Sequence, residues 1–232
     1  PAWAIFIYEG IIMAIVSDCI NSVITELRQV PSLATQTYAT PVIRQQVNNA
    51  YRMLVDEYWW EELMYTFTVA VDGTTGLLTS DLVGPISAIT RYDNIQYVWP
   101  EGIDRPLAQK PVRWNPTAIT GTTPQYIQSD TTYTNRPVKI LPVTSTGNVV
   151  IRARQMPSFP VGNSDTLYLD DLMITYAAAW MYVIDDATVP AQVEKFQSLY
   201  MARKKQVIAN MNTQDIPLTP YAYTTGTGWW EA

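Results

Sequence analysis

Three pairs of adjacent carboxylates are the residues in this chain that come nearest to a catalytic acid and base. They are Glu61-Glu62, Asp170-Asp171 and Asp185-Asp186. A glycosidase needs two carboxylates that converge on one sugar bond, whereas adjacent residues of a helix point in different directions. The spacing gives no support to such an enzyme, although one assembled from carboxylates distant in sequence would need no histidine.

Other catalytic systems lack the residues they require. The chain has no histidine, which excludes Ser/His/Asp and Cys/His nucleophiles, histidine-ligated metals and histidine pH switches. One cysteine, Cys19, cannot form an intrachain disulfide or a thiolate zinc site. The ten glycines form no phosphate-binding loop, and no calcium-loop spacing occurs. We therefore expect no enzyme activity, catalytic residue, cofactor or metal.

Aromatic residues are the second group with binding chemistry. Trp59-Trp60 could form a stacking platform for a sugar or single-stranded nucleic acid. At the end of an amphipathic helix, however, such rings more often anchor a core or an interface. A carbohydrate-binding module therefore remains the less favoured alternative.

The composition favours a surface buried against partners. The 232 residues suit one domain or two small ones. Charged residues are 16%, against roughly 25% in ordinary soluble domains. The chain has 8 Trp and 15 Tyr, which are enriched in interface cores, and few of the charged residues that are depleted there.

Charge is divided into two blocks. Residues 56–104 contain nine acids and one base, a net of −8, and residues 105–154 contain seven bases and one acid, a net of +6. The blocks could face each other within the fold, or across a repeated head-to-tail subunit contact. The net charge of −6 argues against a general nucleic-acid binder.

Hydrophobic periodicity predicts four helices, two at each end of the chain. The first spans Gly10 to Gln29, with Cys19 on its apolar stripe, and the second runs from 41 to about 63, capped by Thr40 with Pro41 in its first turn. A third begins at Leu167, with a face of Leu169, Leu172, Met173, Tyr176, Ala177, Trp180 and Val183. The last follows Pro190 and runs to about Met211.

The middle of the chain reads as strands separated by turn residues. The predicted strands are 65–71, 86–91, 95–99, 125–128, 137–141 and 148–154. We expect an antiparallel sheet or a small barrel, with 100–124 as a long loop. The last strand alternates an apolar face with a largely cationic one that carries Arg152 and Arg154.

The predicted organisation is α+β, in which N- and C-terminal helices (1–64 and 165–211) form a helical bundle around an inserted β-rich domain (65–164). Residues 212–232 form an extended tail that is rich in aromatic residues and is expected to lie against another subunit or protein. The apolar start lacks a secretory pattern, and the longest apolar run, Leu172 to Ile184, is too short for a membrane helix. We expect synthesis in the cytoplasm and no membrane partner.

Four stretches of the chain and the order of its elements resemble the head-to-tail adaptor proteins of tailed bacteriophages, also called head-completion or connector proteins. The stretches are VNNAYRMLVDEYWWEEL at 47–63, SAITRY at 87–92, TGTTPQYI at 120–127 and YLDDLMITYAAAWMY at 168–182. The arrangement as a whole carries the resemblance, since no single stretch is diagnostic.

The resemblance implies a structural virion protein without an active site. Copies would form a ring, typically of twelve, beneath the portal protein in the neck between capsid and tail. That ring would extend the channel for double-stranded DNA, without sequence-specific binding, and provide a platform for tail proteins. A tail-tube or baseplate subunit is the structural alternative.

Seven residues are candidates for partner contacts. They are the tail aromatics and a basic triplet in the last helix: Tyr221, Tyr223, Trp229, Trp230, Arg203, Lys204 and Lys205. The simplest interpretation of the triplet is a solvated helix face, and a partner contact is the alternative.

Overall fold

A computed structural model describes residues 15–103, 105–113, 119–159, 161–184 and 190–212. These residues form a mixed α+β structure, so the predicted fold class is confirmed at that level. The helices are α1 (Val16–Arg28), α2 (Thr40–Glu57), α3 (Asp171–Ile184) and α4 (Pro190–Asn212). The strands are β1 (Met64–Val71), β2 (Ile95–Pro100), β3 (Ala108–Gln109), β4 (Tyr126–Ser129), β5 (Val138–Leu141) and β6 (Gly147–Arg154).

Two compact units divide the described residues. One contains residues 15–62 and 158–212, and the other contains residues 63–157. All four α-helices belong to the first unit, and all six strands belong to the second.

The apolar helix α3 is the centre of the helical unit. It contacts α1, α2 and α4, and it buries Met173, Ile174, Ala177, Ala178 and Val183. A helix that is apolar on nearly all sides must be covered on nearly all sides. The predicted face is wrong at Leu172, which is 39% exposed, because the buried side instead includes Ile174 and Ala178.

The first turn of α2 differs from the prediction that Thr40 caps it. The N-cap residue is Ala39, which provides no side-chain hydrogen bond, and Thr40 is already helical. Pro41 lies in the first turn as expected, where its missing N–H leaves no intrahelical bond unmade.

The end of α2 also comes earlier than the predicted residue 63. Tyr58 is extended, with φ −145° and ψ 160°. Trp60 is fully buried, and its indole N–H donates to the Leu54 carbonyl at 2.5 Å. The helix stops because the chain turns to bring this ring back against the last turn of α2, and a short 3-10 turn, Glu61–Leu63, leads into β1.

The start of α3 lies four residues after the predicted Leu167. Asp170 precedes the helix, and its Oδ1 accepts a hydrogen bond from the Met173 N–H at 2.8 Å. This geometry satisfies one of the donors that a helix leaves unpaired in its first turn. Helix α1 begins at Val16 where Gly10 was predicted, and residues 10–14 lie outside the described residues.

The strands form two open three-stranded sheets around one apolar core, so within the described residues the small-barrel alternative is wrong. The sheet orders are β1-β6-β2 and β3-β4-β5. In the first, both partners run antiparallel to β6, with Phe67 opposite Ile151. Val98 and Ile140 come from different sheets and lie in the same cluster of buried residues.

Two segments of the β unit differ from prediction. Residues 86–91 are not a strand, and the pairing of this segment is a bridge between Val83 and Ala88. The predicted loop 100–124 contains β3, which pairs parallel to β4, so the second sheet is not purely antiparallel.

Candidate interaction surface

The two carboxylate pairs in the described residues have different surroundings. Asp170 caps α3 and binds Arg203, while Glu62 lies in the 3-10 turn with its Oε2 buried and without a hydrogen-bond partner. Burial is the main cause that raises the pKa of Glu62, and the charges of Glu61 and Asp170 add to it. The pair Asp185-Asp186 lies outside the described residues.

Metal-ligand clusters are not found in the described part of the chain, where no group of three or more Cys, Asp or Glu side chains could hold an ion. The single thiol, Cys19, is buried, and its Sγ lies 3.6 Å from the Thr175 hydroxyl. Burial raises the pKa of Cys19 to about 11, so the thiol stays protonated at neutral pH.

The basic triplet of α4 is divided between intrachain ion pairs and solvent. The Arg203 guanidinium binds both oxygens of Asp170, at 3.0 and 2.6 Å. Lys204 forms an ion pair with Glu57 at the end of α2. Lys205 is the exposed member of the triplet. Arg203 and Lys204 therefore hold α4 against neighbouring elements of their own unit.

The remaining predicted contact residues, Tyr221, Tyr223, Trp229 and Trp230, lie outside the described residues. Of the two tryptophans considered as a stacking platform, Trp60 is fully buried. Its ring lies 5.2 Å from that of Tyr58, centroid to centroid. Trp60 therefore anchors the core.

An ion pair joins the two opposite charge blocks within the β unit. The Arg136 Nε lies 2.6 Å from the Asp81 Oδ1. This bond and the Asn135 amide hold the pKa of Asp81 below its ordinary value. At this ion pair, the two charge blocks face each other within the fold.

The cationic face of β6 lies beside aromatic residues of β2. Arg152 pairs in register with Thr66 on β1 and with Tyr97 on β2. Its Nε donates to the Gln96 side chain at 3.0 Å. Val149, Ile151 and Ala153 are buried on the opposite face, so the predicted alternation along this strand is confirmed.

A basic cleft on α2 is a feature that the sequence did not single out. We call it the α2 cleft; its volume is about 350 Å³, and it is lined by Pro41, Arg44, Gln45, Asn48, Asn49, Arg52 and Phe159. Six of these residues share one side of α2 because they are spaced three or four positions apart. The sequence shows the spacing of the polar residues on α2. It does not show that the segment around Phe159 forms the other wall of the cleft.

The far wall of the α2 cleft is fixed by specific contacts. The Val161 N–H donates to the Asn48 side-chain oxygen at 2.8 Å. The Phe159 ring lies 5.5 Å from the buried ring of Tyr51, and the Arg52 guanidinium carbon lies 5.1 Å from the Phe159 centroid. The cleft therefore has a defined shape with cationic and aromatic surfaces.

Large apolar side chains remain exposed on the helical unit. Their exposed fractions are 46% for Val42, 39% for Leu172, 51% for Ile184 and 48% for Met201. Single exposed apolar residues are common, and these four leave apolar area uncovered on the helical unit.

Comparison with protein-family models found no match, and a search of curated proteins found no match either. None of the helices in the described ranges combines the length and apolar character needed to cross a membrane.

Proposed function

We propose that this chain is a structural virion subunit, a head-to-tail adaptor that forms a ring beneath the portal of a tailed bacteriophage. The observation that carries the proposal is the order of elements, with two helices, a β unit and two further helices, combined with the four stretches that resemble this family.

The resembling stretches form connected parts of each unit. Residues 47–63 contain the second half of α2, and residues 168–182 contain most of α3, which contacts α2. In the β unit, residues 120–127 lead into β4. Three of the four stretches therefore lie on packed elements, which supports a resemblance of whole folds over one of isolated short patterns, while the fourth, 87–92, lies outside the strands.

Ring formation is supported by composition and surface. A subunit with neighbours on two sides needs few charges and many amphipathic side chains, as this chain has. Exposed apolar residues such as Val42 and Met201 provide area for these contacts. In the proposed assembly, the helices form a bundle that builds the ring, and the β unit faces the tail.

The partners follow from this position. The tail, with Tyr221, Tyr223, Trp229 and Trp230, reaches a neighbouring subunit or the portal protein, and Lys205 offers an exposed charge on α4. Tail proteins bind the opposite side of the ring. DNA passes through the lumen without sequence-specific contacts, and the net charge of −6 reduces its adhesion to the wall.

The test is assembly on isolated portal rings. Purified full-length protein is mixed with portal from the same virus and analysed by gradient sedimentation and electron microscopy. We expect co-sedimentation and a ring added to one end of the portal. A double variant, Trp229→Ala with Trp230→Ala, should bind more weakly than a Tyr133→Ala control in the β unit, where Tyr133 is 46% exposed.

A protein that stays monomeric and does not bind portal in this experiment would overturn the proposal. Binding to a glycan array by such a monomer would favour the carbohydrate-binding alternative. Self-assembly into long tubes without portal would favour a tail-tube subunit, because an open head-to-tail contact forms a filament and not a closed ring.

A further inference from the structure

The α2 cleft is cationic in an acidic chain. Its seven lining residues include two arginines, three amide side chains and no carboxylate, whereas the whole chain has a net charge of −6. The Nε of Arg44 is buried and has no hydrogen-bond partner. A carboxylate can bind arginine side-on through Nε and a terminal nitrogen, which would satisfy such a donor. The chemistry of the cleft therefore selects an anionic group.

The ligand must be longer than a simple anion. Arg44 and Arg52 are eight residues apart, which is about 12 Å along a helix. Arg52 lies over the Phe159 ring, so that end of the cleft offers a flat cation and an aromatic edge. A second aromatic ring would pack there by stacking and by cation–π attraction. The best fit is a short extended peptide with an aromatic residue close to a carboxylate.

The chain itself contains such a segment. Residues 229–231 read Trp-Trp-Glu, in a tail (213–232) with two acids and no base. The other acid, Asp215, has no aromatic neighbour. From Asn212, where α4 ends, 19 residues lead to Glu231, a length that can span up to about 65 Å when extended.

We propose that the Trp229–Glu231 segment docks in the α2 cleft, with the Glu231 carboxylate on Arg44 and a tryptophan ring against Arg52 and Phe159. The segment comes from a neighbouring copy, and this choice of source rests on the proposed ring, in which the tail reaches another subunit. Both sides of the contact belong to this chain, so the inference does not depend on portal binding.

Charge reversal tests the contact. A fluorescently labelled peptide of residues 221–232 is titrated into the full-length protein, and binding is followed by anisotropy. Reversing Glu231 to Lys in the peptide should weaken binding roughly tenfold or more, because a charge-assisted pair becomes a repulsion. On Arg44→Glu protein the order should reverse, with the Lys peptide binding better. Arg28→Glu, which changes an exposed base in the last turn of α1, is the matched control.

Peptide affinity within about twofold of native on Arg44→Glu protein that retains its circular dichroism would overturn the proposal. Should Arg44→Glu fail to fold, Arg52→Glu replaces it, because Arg52 is exposed. Loss of peptide binding on that variant supports the contact, and unchanged binding overturns it.

Cross-linking identifies the source of the segment. The full-length chain with Ala232→Cys and Asn49→Cys, which keeps Glu231, is oxidised and examined on a non-reducing gel, with Ala232→Cys and Asn21→Cys as the control pair; Asn49 and Asn21 are both exposed. We expect a ladder of oligomers, which indicates docking on a neighbour, and a fast-migrating monomer would overturn that source because it indicates docking within one subunit. Equal yields from the two pairs would overturn the proposal.

Discussion

Asp170 binds Arg203 through both carboxylate oxygens while also accepting a hydrogen bond from the Met173 N–H. One side chain therefore caps α3 and holds α4. Asp170→Ala should lower the free energy of unfolding by about 2 kcal/mol, since it removes a cap and a partly buried pair.

Urea denaturation of a small series separates these two roles. Asp170→Asn retains a cap oxygen, so it should lower the free energy of unfolding by about half as much as Asp170→Ala does. Arg203→Ala should cause a similar loss. Lys205→Ala, at an exposed position, should stay within about 0.5 kcal/mol of native. Equal losses in Asp170→Ala and Asp170→Asn would show that the cap contributes nothing.

Trp180 is the large ring by which α3 contacts α4. It stacks on Tyr200 with an interplanar angle of 11° and a centroid distance of 5.8 Å. Trp180→Ala should destabilise the fold by about 3–5 kcal/mol, measured by chemical denaturation, because it removes a ring and leaves a cavity. Leu172→Ala, on the exposed side of α3, is the matched control. A loss below about 1 kcal/mol for Trp180→Ala would refute a core role for this ring.

Glu62 should make the fold less stable at neutral pH than at mildly acidic pH. Its pKa is raised in the folded state, so the folded protein binds this proton more tightly than the unfolded chain does. The destabilisation by the Glu62 charge is absent below the ordinary pKa of a carboxyl group, and it grows as the pH rises through the raised pKa of Glu62 in the folded state. Glu62→Gln should therefore raise the free energy of unfolding by about 1 kcal/mol near pH 7, and this gain should disappear toward pH 4.

Thermal denaturation at several pH values checks this prediction, with Glu194→Gln on the exposed side of α4 as the control. An advantage of Glu62→Gln that persists unchanged at low pH would contradict the assigned cause.

Cys19 should be inert to thiol reagents in the native protein. It is buried against Thr175 on α3, and its pKa is raised to about 11, so both access and thiolate fraction are low. We expect labelling at least ~100-fold slower than in urea-unfolded protein, because the thiolate is the reactive form. Labelling is quantified by mass spectrometry. Fast native labelling would show that α1 separates readily from α3.

Deleting residues 213–232 should leave a folded subunit. Helix α4 ends at Asn212, and α3 contacts α1, α2 and α4. Far-ultraviolet circular dichroism should show undiminished helical signal, and the proposed function further predicts weaker docking to portal. Loss of helical signal on deletion would mean that the tail belongs to the core.

Sequence periodicity located α1 and α2 because each buries a stripe of apolar residues that recurs every three or four positions. Val16, Cys19, Ile20, Val23 and Leu27 are all buried, as the stripe in α1 requires. The boundaries were less predictable. Trp60 continues the aromatic pattern of α2 but reaches the core from outside the helix, and only its bond to the Leu54 carbonyl reveals this.

The α2 cleft shows where sequence reasoning stops. Arg44, Asn48 and Arg52 look like an ordinary solvated helix face until Phe159, more than one hundred residues later, packs beside them. Parallel pairing of β3 with β4 was hidden for the same reason, since a two-residue strand has no period to detect. Contacts between segments distant in sequence determine both features.

The β unit begins and ends on neighbouring strands. Met64 at the start of β1 is opposite Arg154 at the end of β6, and the Gln155 N–H donates to the Leu63 carbonyl at 2.8 Å. The chain thus enters and leaves this unit at almost the same point, as a tolerated domain insertion does. Such a unit can be replaced by another domain at this one junction, because its two ends are joined to each other by strand pairing and the helical unit is entered and left at the same place.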